Sequence, residues 1–236
     1  MKDKYVDFIH NKESRFFDNT KEIIFGVEDG IVSTLGALTG IAIATGDQFV
    51  VIVSGLVIIS VESISMGVGS YISNKSVKEI GERKLSEERM EVEELNEEER
   101  IELQGMYEKG GWSLELASDM AEFASKNNDL MLREMSYREL GIFPGKREGE
   151  LFSGVIMFLS YVVGGFVPLV GYVFLPMSFA ILCSITLSAF GLFLLGSFVS
   201  RYTNVLWWKV GSRILLLGGI ATLIGFLMGS LAETFK

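Results

Sequence analysis

Long apolar stretches alternate with short polar breaks along most of the chain. Five stretches reach the roughly 20 residues that a helix needs to cross a bilayer, and they cover residues 23–44, 49–72, 151–174, 176–199 and 205–231. Only a few residues separate the first stretch from the second, and only a few separate the third, fourth and fifth from one another. Such short breaks predict antiparallel helical hairpins. The pattern therefore predicts an all-α polytopic membrane protein with five transmembrane helices.

A charged segment separates the second apolar stretch from the third and contains most of the acidic residues of the chain. Its apolar positions recur with helical spacing, which predicts three short helices packed on one another. Ser113 is the predicted N-cap of one of them, and Asn96 with Glu99 fits a capping box. We therefore expect three regions: an amphipathic tail with transmembrane helices 1 and 2 (1–74), an acidic helical insert (75–150) and transmembrane helices 3–5 (151–236).

The distribution of Lys and Arg predicts the orientation in the membrane. The tail, the insert and the loop at 200–204 lie on one side of five spans and carry nearly all the basic residues, so this side is expected to be cytoplasmic. The first 22 residues contain no apolar core of a signal peptide. The short chain favours a prokaryotic cell membrane over a vacuole as its location.

Composition excludes several classes of protein. A single cysteine rules out a disulfide framework and cysteine-based metal sites. The single histidine, His10, argues against histidine-ligated metals and Ser-His-Asp hydrolysis. An acidic chain (net charge −9) without a basic stripe is not expected to bind nucleic acid. The chain has no phosphate-binding P-loop and no nucleophile beside a base, so an enzyme is not expected.

Acidic residues inside the apolar stretches are the first candidates for chemistry. Asp29 and Glu62 lie within the first and second stretches, where a carboxylate is costly unless it is paired, protonated or in a wet cavity. Met66 follows Glu62 by one helical turn and shares its face. A carboxylate beside a thioether suits a borderline transition metal. Alternatively, Glu62 is a packing group bonded to nearby serines, and Met66 fills space.

The insert contains a second set of candidates. Several E-x-x-E pairs place two carboxylates on one helix face, and two such helices facing each other form an oxygen-rich site for a divalent metal. Met135 and Glu139 are spaced i, i+4, like Glu62 and Met66, and would add a thioether and a carboxylate. The alternative is a solvated acidic helix balanced by neighbouring Arg and Lys residues. The acidic run that contains these pairs comprises Glu87, Glu88, Glu91, Glu94, Glu97, Glu98, Glu99 and Glu102.

Four segments resemble motifs of the vacuolar iron transporter family. They are FGVEDGIVST (25–34), SISMGVGSYIS (63–73), SYVVGGFVPL (160–169) and the run from Met135 to Gly141. The segments occur in the family's order, and the resemblance covers nearly the whole chain after residue 20.

The resemblance implies five spans, a homodimer and a cytosolic metal-binding domain. It implies export of Fe²⁺, and often Mn²⁺, from the cytosol in exchange for protons. It further implies metal-path roles for Asp29 and Met66 and metal-binding roles in the insert for Glu88, Glu91, Glu99, Glu102, Met135 and Glu139.

The chain departs from the family pattern at three positions. The family usually has a glutamate where this chain has Ile58, and Glu62 stands one turn closer to Met66 on roughly the same face. Ser136 replaces a second methionine beside Met135, and Gly171 stands where a proline is common.

Two other functions fit parts of the pattern. The insert would also suit a membrane-anchored metal sensor or storage module without transport. Paired E-x-x-E helices also occur in di-iron enzymes, but the chain has no E-x-x-H motif. A simple anchor has no need of carboxylates inside its spans, so Asp29 and Glu62 favour transport of divalent metal through a lipid bilayer.

Overall fold

The computed structural model describes residues 3–141, 149–203 and 205–234, and every regular element in these ranges is an α-helix. The all-α prediction is therefore confirmed. The helices are α1 (Asp3–Thr45), α2 (Gln48–Glu94), α3 (Asn96–Lys109), α4 (Leu114–Ser125), α5 (Asn128–Arg138), α6 (Glu150–Phe174), α7 (Met177–Thr203) and α8 (Trp207–Glu233).

Five of these helices (α1, α2, α6, α7 and α8) are long and apolar enough to cross a membrane. Two boundaries differ from the sequence prediction. The tail is continuous with the first apolar stretch in α1, because residues 3–22 contain no glycine or proline that would end a helix. α7 continues to Thr203, where a loop at 200–204 was predicted; Asn204 lies outside the described residues.

The chain divides into two compact units. The bundle unit comprises Met1–Ile72 and Glu150–Lys236, and the insert unit comprises Ser73–Gly149. α2 is 47 residues long, about 70 Å, which is more than twice the thickness of a hydrocarbon core. Its apolar first half belongs to the bundle unit, and its charged second half belongs to the insert unit.

Within the bundle unit, α1 packs against α6, α7 and α8. Glycines make these contacts close: Gly30 faces the backbone of α6 at Tyr161, and Gly40 faces the backbone of α8 at Gly225. Small residues let membrane helices approach closely, so dispersion contacts extend over more of their length. α1 thus lies at the centre of the bundle.

The insert unit has a small apolar core. Ser113 caps α4 as predicted and accepts a hydrogen bond from the Leu116 N–H at 3.4 Å. The predicted capping box at Asn96 is wrong, because Asn96 donates from its side chain to the carbonyls of Val92 and Ser125. The buried core residues are Val92, Leu103, Tyr107, Ala117, Ala121, Ala124, Met131 and Met135.

The glycine contacts are testable by single methyl groups. A Cβ at Gly164 would collide with the Val27 backbone, and one at Gly225 with the Gly36 backbone, whereas a Cβ at Gly219 meets nothing within 4 Å. We expect Gly164→Ala and Gly225→Ala to destabilise the protein by about 1–3 kcal/mol. Gly219→Ala, on the same helix as Gly225, is the matched control and should be neutral or stabilising. Thermal unfolding in detergent measures the difference, and equal midpoints for all three variants would contradict the close packing.

Candidate metal sites

Three glutamates from different helices meet in the insert unit. Glu88 lies on α2, Glu99 lies on α3, and Glu139 follows the last residue of α5. One carboxylate oxygen from each lies within 4.8 Å of the other two. Glu88 lies in the charged second half of α2, so the cluster belongs to the insert unit and lies outside the apolar stretch.

Burial makes this cluster hold protons more tightly than exposed carboxylates do. Burial, together with the charges of Glu139, Glu99 and Glu91, raises the pKa of Glu88 to about 8. Burial likewise raises the pKa of Glu99 to about 7, with contributions from Glu102, Glu91 and Glu139. The pKa of Glu139 is also raised, first by desolvation and then by the charge of Glu102. The cluster therefore binds and releases protons near neutral pH.

The geometry also suits a divalent cation. Two oxygens on opposite sides of an ion with a metal–oxygen distance of about 2.1 Å are about 4.2 Å apart, so small side-chain shifts would bring the three oxygens to one ion. Glu88 Oε1 and Glu99 Oε2 are buried without a hydrogen-bond partner among the described residues. A buried carboxylate oxygen without a partner needs a proton or a cation to offset its desolvation.

Glu91 and Glu102 surround this triplet. Both side chains are exposed, and both interact electrostatically with Glu99 and Glu139. The structure thus brings together all five glutamates that the resemblance singled out. Glu87, Glu94, Glu97 and Glu98 are exposed, and the Glu97 carboxylate is paired with Arg100 at 2.6 Å.

The predicted sulfur ligand has a different environment. Met135 is fully buried in the apolar core of the insert unit. Its neighbour Ser136 donates a hydrogen bond to the Leu132 carbonyl of its own helix. A ligand role for Met135 stays a prediction, supported by the i, i+4 spacing to Glu139.

The second group of predicted residues lies in the bundle unit. Asp29 on α1 is half-buried, Glu62 on α2 is exposed, and the two carboxylates interact electrostatically. Met66, one turn from Glu62, is half-buried. The alternative in which nearby serines bond Glu62 receives no support from two of them: Ser60 donates to the Leu56 carbonyl and Ser63 to the Ser60 carbonyl.

Two residues that sequence reasoning did not select lie beside Asp29. The Tyr161 hydroxyl on α6 is 2.6 Å from Ser33 Oγ, and Ser33 donates to the Asp29 carbonyl at 2.6 Å. Tyr161 also interacts electrostatically with Asp29 and Glu62. The conspicuous polar pair Ser160-Tyr161 in an otherwise apolar stretch was the available signal.

A groove begins at Asp29 and runs along α1. It has a volume of about 590 Å³ and lies between α1 and α8, and its walls are mostly small or apolar side chains. Asp29 and Ser33 are its polar residues. The groove gives Asp29 access to space along the length of the apolar part of α1.

Long apolar helices that retain carboxylates, together with a separate carboxylate cluster, are features of polytopic membrane proteins that handle cations. The chain belongs to the VIT family, whose model matches residues 20–230. Members of this family are transporters and not enzymes, so the expectation that this chain is not an enzyme is confirmed.

Relatives with known names match nearly the full length of the chain. The vacuolar iron transporter of Plasmodium falciparum is 31% identical over 94% of this chain and 88% of its own length. Vacuolar iron transporter 1 of Arabidopsis thaliana is 26% identical over 95% of this chain and 91% of its own length. The vacuolar iron transporter of Toxoplasma gondii is 29% identical over 96% of this chain and 78% of its own length. The expected prokaryotic cell membrane receives no support from these names, which refer to a vacuole.

The raised pKa values in the insert unit predict how stability depends on pH. A carboxyl group whose pKa is higher in the folded than in the unfolded state stabilises the fold at low pH, and this contribution is lost as pH rises through the folded pKa. We therefore expect the metal-free protein to lose roughly 5 °C or more in its unfolding midpoint between pH 5.5 and 8.5. Glu88→Gln, which mimics the protonated group, should remove much of this dependence.

Differential scanning fluorimetry in detergent measures this effect. Glu93→Gln is the matched control, because Glu93 is exposed on the same helix, and it should retain the wild-type dependence. Mn²⁺ should restore the midpoint at pH 8.5 in the wild type. A midpoint independent of pH in the wild type would contradict the buried, mutually repelling cluster.

Proposed function

We propose that this protein exports Fe²⁺, with Mn²⁺ as a second substrate, from the cytosol across a membrane in exchange for protons. The observation that carries the proposal is the pairing of two acidic sites: the Glu88–Glu99–Glu139 cluster in the insert unit and the Asp29–Glu62 pair within the apolar helices. The relatives are vacuolar iron transporters by name, which supports iron as the substrate.

The insert unit would capture the metal on the cytoplasmic side. The insert and the tail carry most of the Lys and Arg residues of the chain. This imbalance between the two sides of the membrane supports the orientation. Carboxylate oxygens accept Fe²⁺ and Mn²⁺ without excluding other divalent ions of similar size. Glu91 and Glu102 would raise the local metal concentration, and the buried pair of Glu88 and Glu99 with Glu139 would hold the ion.

The membrane path would pass Asp29, Glu62 and Met66. Glu62 is exposed in an isolated chain, although it lies inside an apolar stretch. A carboxylate that faces lipid costs about 2.5 kcal/mol or more near the bilayer centre. A second copy of the chain packed against this face of α2 would remove that cost and place two sets of ligands beside one path, which supports the homodimer.

Competition between protons and metal ions would provide the exchange. Carboxylates in poorly hydrated positions bind either a proton or a cation, because the free charged form is disfavoured. Protons from the far side would neutralise the path acids and release the metal there. The empty path would then return its protons to the cytosolic side.

A membrane-anchored sensor or storage module is the second candidate. The insert cluster alone supports metal capture, since its carboxylates converge without help from the bundle unit. The two functions differ in whether metal crosses the membrane.

Replacing Asp29 tests the path. We expect Asp29→Asn to reduce Fe²⁺ flux into proteoliposomes under a pH gradient about 10- to 100-fold, because the path loses one of its two carboxylates and a contact to a charged group is worth about 1.5–3 kcal/mol. Asp47→Asn is the control: Asp47 caps α2 in an exposed turn by accepting from Phe49 and Val50, and asparagine caps equally well. Its flux should stay within about twofold of wild type. Undiminished flux in folded Asp29→Asn protein would exclude the path assignment, and no flux in the wild type would favour the sensor.

Replacing the cluster tests capture. We expect Glu88→Gln with Glu99→Gln to raise the Fe²⁺ concentration for half-maximal flux about tenfold or more, with little change in maximal rate, since each lost charged contact is worth about 1.5 kcal/mol or more. Glu93→Gln again serves as the control. If the double variant abolishes flux at saturating metal, the cluster belongs to the path itself and the capture role is excluded.

A further inference from the structure

A second set of polar side chains lies inside the bundle unit. Within the described parts of α1, α6 and α7, six hydroxyl-bearing residues are at most 2% exposed, although they lie in helices long and apolar enough to span a membrane. None of them lines the groove that starts at Asp29. They come from three helices and are Thr34 and Thr39 of α1, Tyr161 and Tyr172 of α6, and Ser184 and Ser188 of α7.

Most of these hydroxyl groups have unused hydrogen-bonding capacity. The side-chain oxygens of Thr34, Tyr172, Ser184 and Ser188 have no hydrogen-bond partner of ordinary geometry among the described residues. Four such atoms in one five-helix bundle are many, because buried polar groups in folded proteins are almost always bonded to protein or ordered water. Their arrangement is therefore suited to water molecules between them.

The six hydroxyl groups follow one another along the bundle, and together they are called the hydroxyl column. At one end, the Tyr161 hydroxyl contacts Ser33 Oγ at 2.6 Å and lies near Thr34. At the other end, the Tyr172 hydroxyl lies near Thr39 and Ser184. Tyr161 and Tyr172 are three helical turns apart, about 16 Å along α6.

Ser188 lies between these two ends. It is one turn from Ser184 on the same face of α7, on the side toward Tyr161 because α6 and α7 run antiparallel through a short turn. Beyond Tyr172 the hydroxyl column ends at the turn between α6 and α7. There the Gln48 side chain donates to the carbonyls of Tyr172 and Leu175.

Glycines let the neighbouring helices approach α6 closely beside the hydroxyl groups. A Cβ at Gly165 would lie 3.2 Å from Thr34 Oγ1, and one at Gly171 would lie 2.9 Å from the Ser184 N, so α1 and α7 pack closely against α6 there. Pro168 lies inside α6 and has no N–H to donate to the Gly164 carbonyl. That carbonyl supplies one more acceptor about one helical turn from Tyr161.

We propose that this hydroxyl column conducts protons between the Asp29 region and the α6–α7 turn, apart from the proposed metal path past Asp29, Glu62 and Met66. The inference rests on the proposed proton exchange and specifies the route of the proton. Each hydroxyl group, or a water between two of them, accepts a proton on its oxygen and releases its own proton to the next oxygen, so no bond or charge is left behind. Neutral hydroxyls without carboxylates or thioethers are poor ligands for Fe²⁺, so the metal is expected to stay with the carboxylates and the thioether of its own path.

Tyr172→Phe and Ser184→Ala test the column, because each removes one oxygen and little volume. The matched control is Thr186→Val. Thr186 lies on α7, as Ser184 does, but it is exposed and its hydroxyl donates to the Leu182 carbonyl of its own helix. Proteoliposomes with the full-length protein carry one dye for Fe²⁺ and one for pH, so both fluxes are read in the same vesicles.

We expect both variants to lower coupled proton and Fe²⁺ fluxes about tenfold or more, with Thr186→Val within twofold of wild type. Fe²⁺ binding by the purified protein should be unchanged. Since proton delivery then limits the rate, flux in the variants should rise steeply when the proton-supplying side is acidified from pH 7 to 5.5, while wild-type flux changes little.

Two results would overturn the column. One is wild-type flux in both variants. The other is a loss by the same factor at every pH, together with a lower unfolding midpoint, which is the behaviour of hydroxyls that only hold helices together. The wild-type arm separately tests the proposed function: Fe²⁺ flux without any counterflow of protons would refute the exchange before the variants are considered.

Discussion

The cost of holding a carboxylate away from bulk water governs both acidic sites of this protein. A partly desolvated carboxylate gains more from a proton or a cation than an exposed one does. In the insert unit this cost raises the pKa of Glu88 to about 8 and of Glu99 to about 7. In the bundle unit, Asp29 and Glu62 lie within apolar helices and interact electrostatically with each other. A proton or a cation therefore stabilises the insert cluster, and which of the two binds depends on the local proton and metal concentrations.

Close packing by glycine makes the bundle compatible with these acids. α1 contacts α6 and α8 through backbone rather than through long side chains, as at Gly30 and Gly40. Without bulky residues at these crossings, a groove remains beside Asp29, and Ser33 and Tyr161 come within hydrogen-bonding distance. A bundle packed with leucine at the same positions would separate the helices and remove both features.

Separate routes for metal and proton would follow from the two kinds of polar group in the bundle. The proposed metal path offers the carboxylates of Asp29 and Glu62, which attract divalent cations. The interior between α1, α6 and α7 offers neutral hydroxyls that donate and accept hydrogen bonds but bind Fe²⁺ weakly. Exchange would then require the routes to meet, and the contact between Tyr161 and Ser33 beside Asp29 would provide such a meeting point.

Local patterns in the sequence determined the helices. Hydropathy and length depend on consecutive residues, so the five long apolar helices and the three short helices of the insert were predictable, as was the Ser113 cap. The E-x-x-E spacing placed pairs of glutamates on one helix face for the same reason. Spacing alone left open which of the eight glutamates bind metal. The resemblance to the family motifs made that selection.

Only the tertiary structure decided which groups from different helices meet. Glu88, Glu99 and Glu139 converge because three helices pack around one core, and Asn96 bonds the Ser125 carbonyl across that packing instead of capping its own helix. Ser33 and Tyr161 are 128 residues apart, and the buried hydroxyls of α1, α6 and α7 share an interior that no short window of sequence describes. Helix formation depends on neighbours in the chain, whereas the chemistry of a site depends on distances across the fold, which are set by how side-chain volumes and glycine contacts let the helices approach.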